Sequence, residues 1–208
     1  MAQKIGLISD MHATPDPVKE ALTIFRKEGV DRVVCAGDIA GYGEGLDKTI
    51  ELLVEDGCQS ISGNHDVWYL ERRTGDKETG AVRFLSSLSR VLKLTIEGVK
   101  LYFVHASPPQ SMMKGIHLLD ERGHVLFDQK KIWDDYLKDF EFDVLIVGHT
   151  HQVFAEKLGN TLVINPGSTK FNHTCAILSL PDMNSRVFPL SGKTPLTVWN
   201  WGIFRING

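Results

Sequence analysis

The chain has 208 residues, 24% of them charged, and a formal net charge of −3; this fits one soluble domain with its own core and excludes a broad cationic face for gathering duplex nucleic acid. No apolar run has the length of a membrane-crossing helix, and Asp10 follows the first apolar residues too soon for a secretory leader. The three cysteines, Cys35, Cys58 and Cys175, are an odd and widely spaced set beside apolar residues, which argues against a disulfide framework and predicts core thiols in a reducing, cytoplasmic setting.

Lys4–Ser9 reads as a buried strand ending at Asp10. Pro15 and Pro17 open a helix that presents Val18, Ala21, Leu22 and Phe25 on one face and stops at Gly29. Arg32–Ala36 is a second buried strand, ending at Gly37-Asp38. The spacing predicts a helix over Leu46–Glu55 with Ile50, Leu53 and Val54 inward, then a short strand over Gln59–Ser62 ending at Gly63-Asn64. Strands and helices alternating through short links predict βαβ units and parallel pairing. The pattern then changes. Ala81–Leu92 reads as a helix with Ala81, Phe84, Leu85 and Leu88 on one stripe, and Leu94–Glu97 and Lys100–Val104 flank Gly98 as a hairpin. Ser107–Asp128, rich in Pro, Gly, Met and charge, holds no readable element and is expected to shape a pocket. Gln129–Phe140 is a helix and Val144–Val147 a strand. Short strands follow at Val153–Leu158, Thr161–Asn165, Cys175–Leu180 and Arg186–Leu190, the first two joined at Gly159-Asn160. One domain over residues 1–208, with two sheets face to face and helices outside, accommodates both halves.

The informative residues stand where strands end. Asp10 and His12 follow the first strand, Asp38 the second, and Asn64, His65 and Asp66 the third. His105 follows the strand ending at Val104, and His149 and His151 the one ending at Val147. Ligands of open α/β sheets bind outside the carboxyl ends of strands, so these side chains can converge. Pairs at i and i+2, such as Asp10 with His12, project to one side of an extended chain. Each cluster alone has a plainer reading: Gly-Asp as a turn, Asp66 as a helix cap, a lone histidine as a packed side chain. His117, His124 and His173 are read in that plainer way. The ordered set of five clusters is not so readily explained.

That set, Asp10-x-His12, Gly37-Asp38, Gly63-Asn64-His65-Asp66, His105 and Gly148-His149-Thr150-His151, resembles the signature of the calcineurin-like metallophosphoesterase superfamily, in its compact single-domain phosphodiesterase branch. Gly37-Asp38-Ile39-x-Gly41-Tyr42-Gly43 and Asn165-Pro166-Gly167-Ser168 extend the likeness over residues 4–168. The resemblance implies a four-layer α/β/β/α sandwich of two mixed sheets flanked by helices. It implies two divalent transition-metal ions, Mn first, with Ni, Fe, Zn or Co as alternatives. One ion would be held by Asp10, His12, Asp38 and His151, the other by Asp38, Asn64, His105 and His149. His65 would act on the leaving oxygen, oriented by Asp66. The expected substrate is a small phosphoester, nucleotide-like, with Tyr42 and Trp68 as stacking candidates. Neither duplex nucleic acid nor membrane is expected as a partner. Ser168-Thr169-Lys170-Phe171 departs from the branch's longer Gly-Ser-x-Gly-x-Pro-Arg pattern, with Lys170 as the candidate replacement cation. A non-catalytic interaction scaffold on the same fold is the alternative, against which the complete ligand set and His65 both argue.

Overall fold

The computed structural model, which describes residues 2–73, 79–120 and 124–191, arranges the strands of those residues in two five-stranded sheets. In the first, β1 (Gln3–Ile8) pairs in parallel with β2 (Arg32–Cys35), and β2 with β3 (Gln59–Ser60). The helices α1 (Pro15–Glu28) and α2 (Leu46–Glu55) connect these strands. On the other side of β1 the late strands β9 (Thr174–Leu180) and β10 (Asn184–Pro189) add antiparallel. The second sheet runs β4 (Val91–Ile96), β5 (Val99–Val104), β6 (Val144–Ile146), β8 (Thr161–Pro166), β7 (Val153–Leu158). Between the sheets in sequence lie α3 (Asn64–Glu71) and α4 (Gly80–Ser86), and α5 (Phe127–Tyr136) precedes β6.

Period-two alternation explains the layers. Ile5, Leu7 and Val34 face Leu101, Phe103, Ile146 and Ile164 in a core between the two sheets. Ile8 and Cys35 point the other way, onto Leu22, Phe25, Ile50, Leu53 and Leu85 of α1, α2 and α4. On the far side, Tyr102, Leu145 and Val163 pack with Ile116, Leu118 and Leu137. The result is the expected α/β/β/α sandwich, in which each fully buried Leu, Ile or Phe contributes about 1.5–3 kcal/mol. No helix among the described residues is long and apolar enough to cross a membrane.

Several local expectations change. Val54 is 59% exposed; Thr49 takes the inward place on α2, its hydroxyl donating to the Gly45 carbonyl at 2.8 Å. The helix expected over Ala81–Leu92 ends at Ser86, where Ser87 Oγ donates back to the Phe84 carbonyl at 2.6 Å. Val91 and Leu92 instead open β4 and pair with Val104 and Phe103 of β5. The hairpin turn falls at Glu97-Gly98, both at positive φ, as a two-residue turn between right-twisted strands requires. Helix α5 begins and ends earlier than expected, at Phe127 and Tyr136. Cys35 and Cys175 are buried, whereas Cys58 is only half-buried at the edge of the helix-side core. The stretch over residues 107–128 falls partly outside the described residues, at 121–123.

Candidate metal centre

The chain makes abrupt turns at the carboxyl ends of its strands. Asp10, His12, Asp38, His149 and His151 have φ between 45° and 66°, the left-handed region that side-chain-bearing residues seldom occupy. Backbone bonds hold these turns: Asp10 N–H donates to the Gly37 carbonyl and His12 N–H to that of Asp38, both at 3.0 Å, and Gly148 N–H donates to His105 at 2.8 Å. The first sheet thereby supplies Asp10, His12, Asp38 and Asn64, and the second supplies His105, His149 and His151. Close approach is built in at Gly63, where a Cβ would run into the Asp38 carboxylate and come within 2.5 Å of the Asp38 backbone nitrogen.

Donor atoms gather in three overlapping groups, each within 4.8 Å: Asp10, His12 and His151; His12, Asp38 and His65; Asp38, His105 and His149. In the first, His12 Nε2 lies 3.4 Å from His151 Nε2, which is 3.3 Å from Asp10 Oδ1. In the last, His105 Nε2 is 3.3 Å from Asp38 Oδ2. Asn64 Oδ1 joins it, 3.1 Å from His105 Nε2 and 2.9 Å from His149 Nδ1. Thus all seven residues expected as ligands converge, and His65 comes within the same reach.

The proton positions test whether a cation fits. His105 Nδ1–H donates to the Ala36 carbonyl at 2.8 Å and His149 Nε2–H to that of Met113 at 3.0 Å. At His149 the opposite nitrogen, Nδ1, therefore turns its lone pair on Asn64 Oδ1 2.9 Å away, acceptor against acceptor, while His105 Nε2 holds a proton toward Asp38 Oδ2 that an incoming cation would displace. A cation resolves that conflict, and backbone carbonyls behind the rings are the usual second layer of such a site. Carboxylate, imidazole and amide donors without thiolate suit Mn, Fe, Co, Ni or Zn.

Electrostatics agree with the geometry. Burial takes His12 down to about 4, against the pull of Asp38 and Asp10. Burial, with His105 beside it, takes His149 to about 4 as well, so both rings are neutral and ready to donate lone pairs at neutral pH. His105 behaves oppositely: against the cost of burial, Asp38 raises it to about 10. Asp10 stays well below the ordinary carboxylate range despite its burial, because of His151 and His105. Its oxygens also accept from Ser9 Oγ at 2.5 Å and from His149 N–H at 3.1 and 3.2 Å.

His65 N–H donates to Asp38 Oδ1 at 2.9 Å, while its Nε2 lies 3.3 Å from the Tyr42 hydroxyl. Asp66 has both oxygens engaged by backbone, accepting from Ala40 N–H at 2.7 Å and Gly63 N–H at 2.8 Å. Its bond to Gly63 is the return half of a capping box at the start of α3, glycine having no side chain to supply the other half, and the side chain fixes the Asp38 and Asn64 loops to each other. A cavity of about 280 Å³ opens above the donors, with Tyr42, Trp68, Met113, His117 and Phe171 in its wall.

Three participants carry no sequence signal strong enough to single them out. Phe171 stacks on His151, with centroids 5.1 Å apart and planes at 23°. Met113 acts through its carbonyl, which no side-chain pattern encodes. His117 lines the cavity although it stands alone in the sequence. Ser168, part of the Asn-Pro-Gly-Ser run, donates from Oγ to the Asp10 carbonyl at 2.5 Å. Lys170 Nζ stands over the Tyr42 and Phe171 rings, 5.5 and 5.3 Å from their centroids.

Comparison with known proteins agrees with this geometry. The model of the calcineurin-like phosphoesterase superfamily domain matches residues 3–182. An uncharacterized protein of Methanocaldococcus jannaschii is 28% identical over 185 residues, covering 78% of this chain and 68% of its own length. A phosphodiesterase of the same archaeon is 25% identical over 164 residues, covering 79% and 82%. The crystal structure of a metallophosphoesterase from Sphaerobacter thermophilus matches with a TM-score of 0.68 at 21% identity, over 91% of this chain and 88% of the other, a likeness of fold.

Proposed function

Because the chain belongs to the calcineurin-like phosphoesterase superfamily and is a metal-dependent phosphoesterase, we propose that it hydrolyses a small phosphodiester, ahead of a phosphomonoester, at a pair of divalent cations. The observation that carries this reading is the sharing of donors. Asp38 belongs both to the group with His12 and to the group with His105 and His149, and a carboxylate can bridge two ions.

Asp10, His12, Asp38 and His151 would hold one cation, and Asp38, Asn64, His105 and His149 the other. Such a pair supplies Lewis acidity to the phosphoryl oxygens and to an attacking water. The protein does the rest. Asn64 is neutral, so only Asp10 and Asp38 bring negative charge, and the loaded site keeps positive charge for phosphate. His65 faces the cavity from beside Asp38 and serves the leaving oxygen, by charge or by a proton. Burial lowers its pKa, and an anionic phosphate beside it acts in the opposite direction. Asp66 is a positioning residue, acting through the Ala40 and Gly63 backbone. At about 280 Å³ the cavity is at the small end of ligand sites, which supports a small substrate. The exposed ring of Tyr42 with Trp68 beside it supports a nucleotide-like one, and Lys170 adds a cation at the rim.

The test is a metal-free preparation assayed on bis(p-nitrophenyl) phosphate with Mn, Ni, Co, Zn or Mg. Hydrolysis is expected to return with Mn or Ni, with about two ions per chain by elemental analysis. Full activity without metal, or activity saturating at one ion per chain, would overturn the two-cation reading.

A further inference from the structure

Beside the cavity above the donors lies a second depression of about 630 Å³. The two share Tyr42, His65 and Trp68 in their walls, so they form one trough that starts over the donor cluster and runs outward. Helix α3 lines its outer half. His65, Trp68, Tyr69 and Arg72 stand at i, i+3, i+4 and i+7, one face of that helix, and all four line the trough. This face keeps one core contact, at Tyr69, which packs with Leu70 against the helix-side core. It leads from an imidazole beside the donors, over two aromatic rings, to a guanidinium. At 1.5 Å per residue, Arg72 stands about 10 Å further along the axis than His65.

Arg72 is exposed, and among the described residues no carboxylate pairs with it. Arg73, next in the chain, lies with its guanidinium 4.5 Å from the centroid of the Tyr69 ring and lines the same trough. Positive charge therefore collects at the outer end of a phosphoester site on a chain whose net charge is −3. A forked guanidinium is suited to two-point binding of a phosphate. The Trp68 ring, in the wall shared by both halves of the trough, offers a flat face to whatever spans the distance.

Resting on the phosphoesterase reading above, we propose that the trough takes a substrate with a second phosphate group one nucleoside away from the scissile one. Arg72 grips that second phosphate and Trp68 lies against the connecting nucleoside. A substrate with a single phosphate leaves the outer half of the trough empty.

A dinucleotide with a 5′-terminal phosphate, compared with the same dinucleotide lacking it, tests this on the metal-loaded protein. The phosphorylated form is expected to show a kcat/KM about tenfold higher, mainly through KM, as one charge-assisted contact provides. Arg72→Ala is expected to bring the ratio close to one. Arg26→Ala removes the same charge at the far end of α1, where Arg26 pairs with Asp56, and is expected to keep the ratio. Calorimetric affinities of both dinucleotides give a parallel ratio that does not depend on turnover. Equal kcat/KM and equal affinity in the wild type, or a preference that survives Arg72→Ala, overturns the proposal. Failure of the phosphoesterase reading looks different: no metal then supports hydrolysis of either dinucleotide or of bis(p-nitrophenyl) phosphate, while the affinity ratio still decides on Arg72.

Discussion

Two imidazoles face Asp38 and titrate in opposite directions. Asp38 raises His105 to about 10 against the cost of burial, whereas burial lowers His65. In the metal-free chain at pH 7 His105 therefore holds a proton where a cation would sit. Its folded value lies above the ordinary one, so this pair stabilises the metal-free chain below about pH 6.5 and loses that contribution as pH rises through about 10. Metal must expel the proton. Titration calorimetry with Mn in buffers of different ionisation enthalpy is expected to register about one proton released per chain at pH 7; no release would mean that His105 is not a ligand. For His65→Ala we expect both metals to stay bound and turnover to fall by about 10²–10⁴-fold. The loss should be smaller for nitrophenolate than for an alkoxide leaving group. Loss of a metal in this variant would make His65 a ligand. These histidines were legible because each follows an apolar strand within a recurring motif. The Met113 carbonyl and the Phe171 ring were not, since their roles arise from loop proximity that only the folded chain creates.

Among the elements, α3 carries the most chemistry for its length. It begins at Gly63-Asn64, packed against Asp38, and its first turn is held by Asp66 accepting from the Gly63 N–H. Gly63→Ala is expected to destabilise by about 1–3 kcal/mol in urea unfolding and to lower metal content, because the new Cβ meets the Asp38 carboxylate. Gly80→Ala is the control: it sits at the first position of α4 with nothing within 4 Å of an added Cβ, and should be neutral or slightly stabilising. A Gly63→Ala variant with unchanged stability and metal content would contradict the close approach. The early βαβ run was legible to within a residue or two, since buried parallel strands and amphipathic helices differ clearly in period. Residues 81–92 were not. Ala81, Leu85, Leu88 and Leu92 keep helical spacing into β4, and only pairing with β5 (Val91 with Val104, Leu92 with Phe103) decides the outcome. Val54 misled for a related reason: an apolar residue at the margin of a stripe can be left exposed when a threonine satisfies its hydroxyl within the helix.

At the scale of the molecule, the donors are divided between two sheets that otherwise meet through apolar contacts. Cations held between them would tie those layers together in the folded chain alone. Metal binding is therefore linked to stability. At a free metal concentration about 100 times Kd the gain is about 2.7 kcal/mol, or a rise in Tm of roughly 5–10 °C for a chain of this size. Differential scanning calorimetry with chelator and then with Mn measures it, and an unchanged Tm alongside measured binding would place the metal outside the folded core. The four-layer architecture was legible as a whole from βαβ units followed by short strands. The return of β9 and β10 to the first sheet, beside β1, was not, because strand order depends on partners far apart in sequence.

The left-handed turns at Asp10, His12, Asp38, His149 and His151 bear on the routes by which such a chain can change over generations. An L side chain there costs about 1–2 kcal/mol that glycine avoids, less the roughly 0.5–1 kcal/mol of extra chain entropy that glycine loses on folding. In the metal-free state, His12→Gly is accordingly expected to melt above His12→Ala by up to about 1 kcal/mol in stability, with activity lost in both; a lower melting point for the glycine variant would remove the premise. Where a lineage stops needing the reaction and a donor is lost, glycine is then the replacement that the backbone at these five positions accepts with least strain.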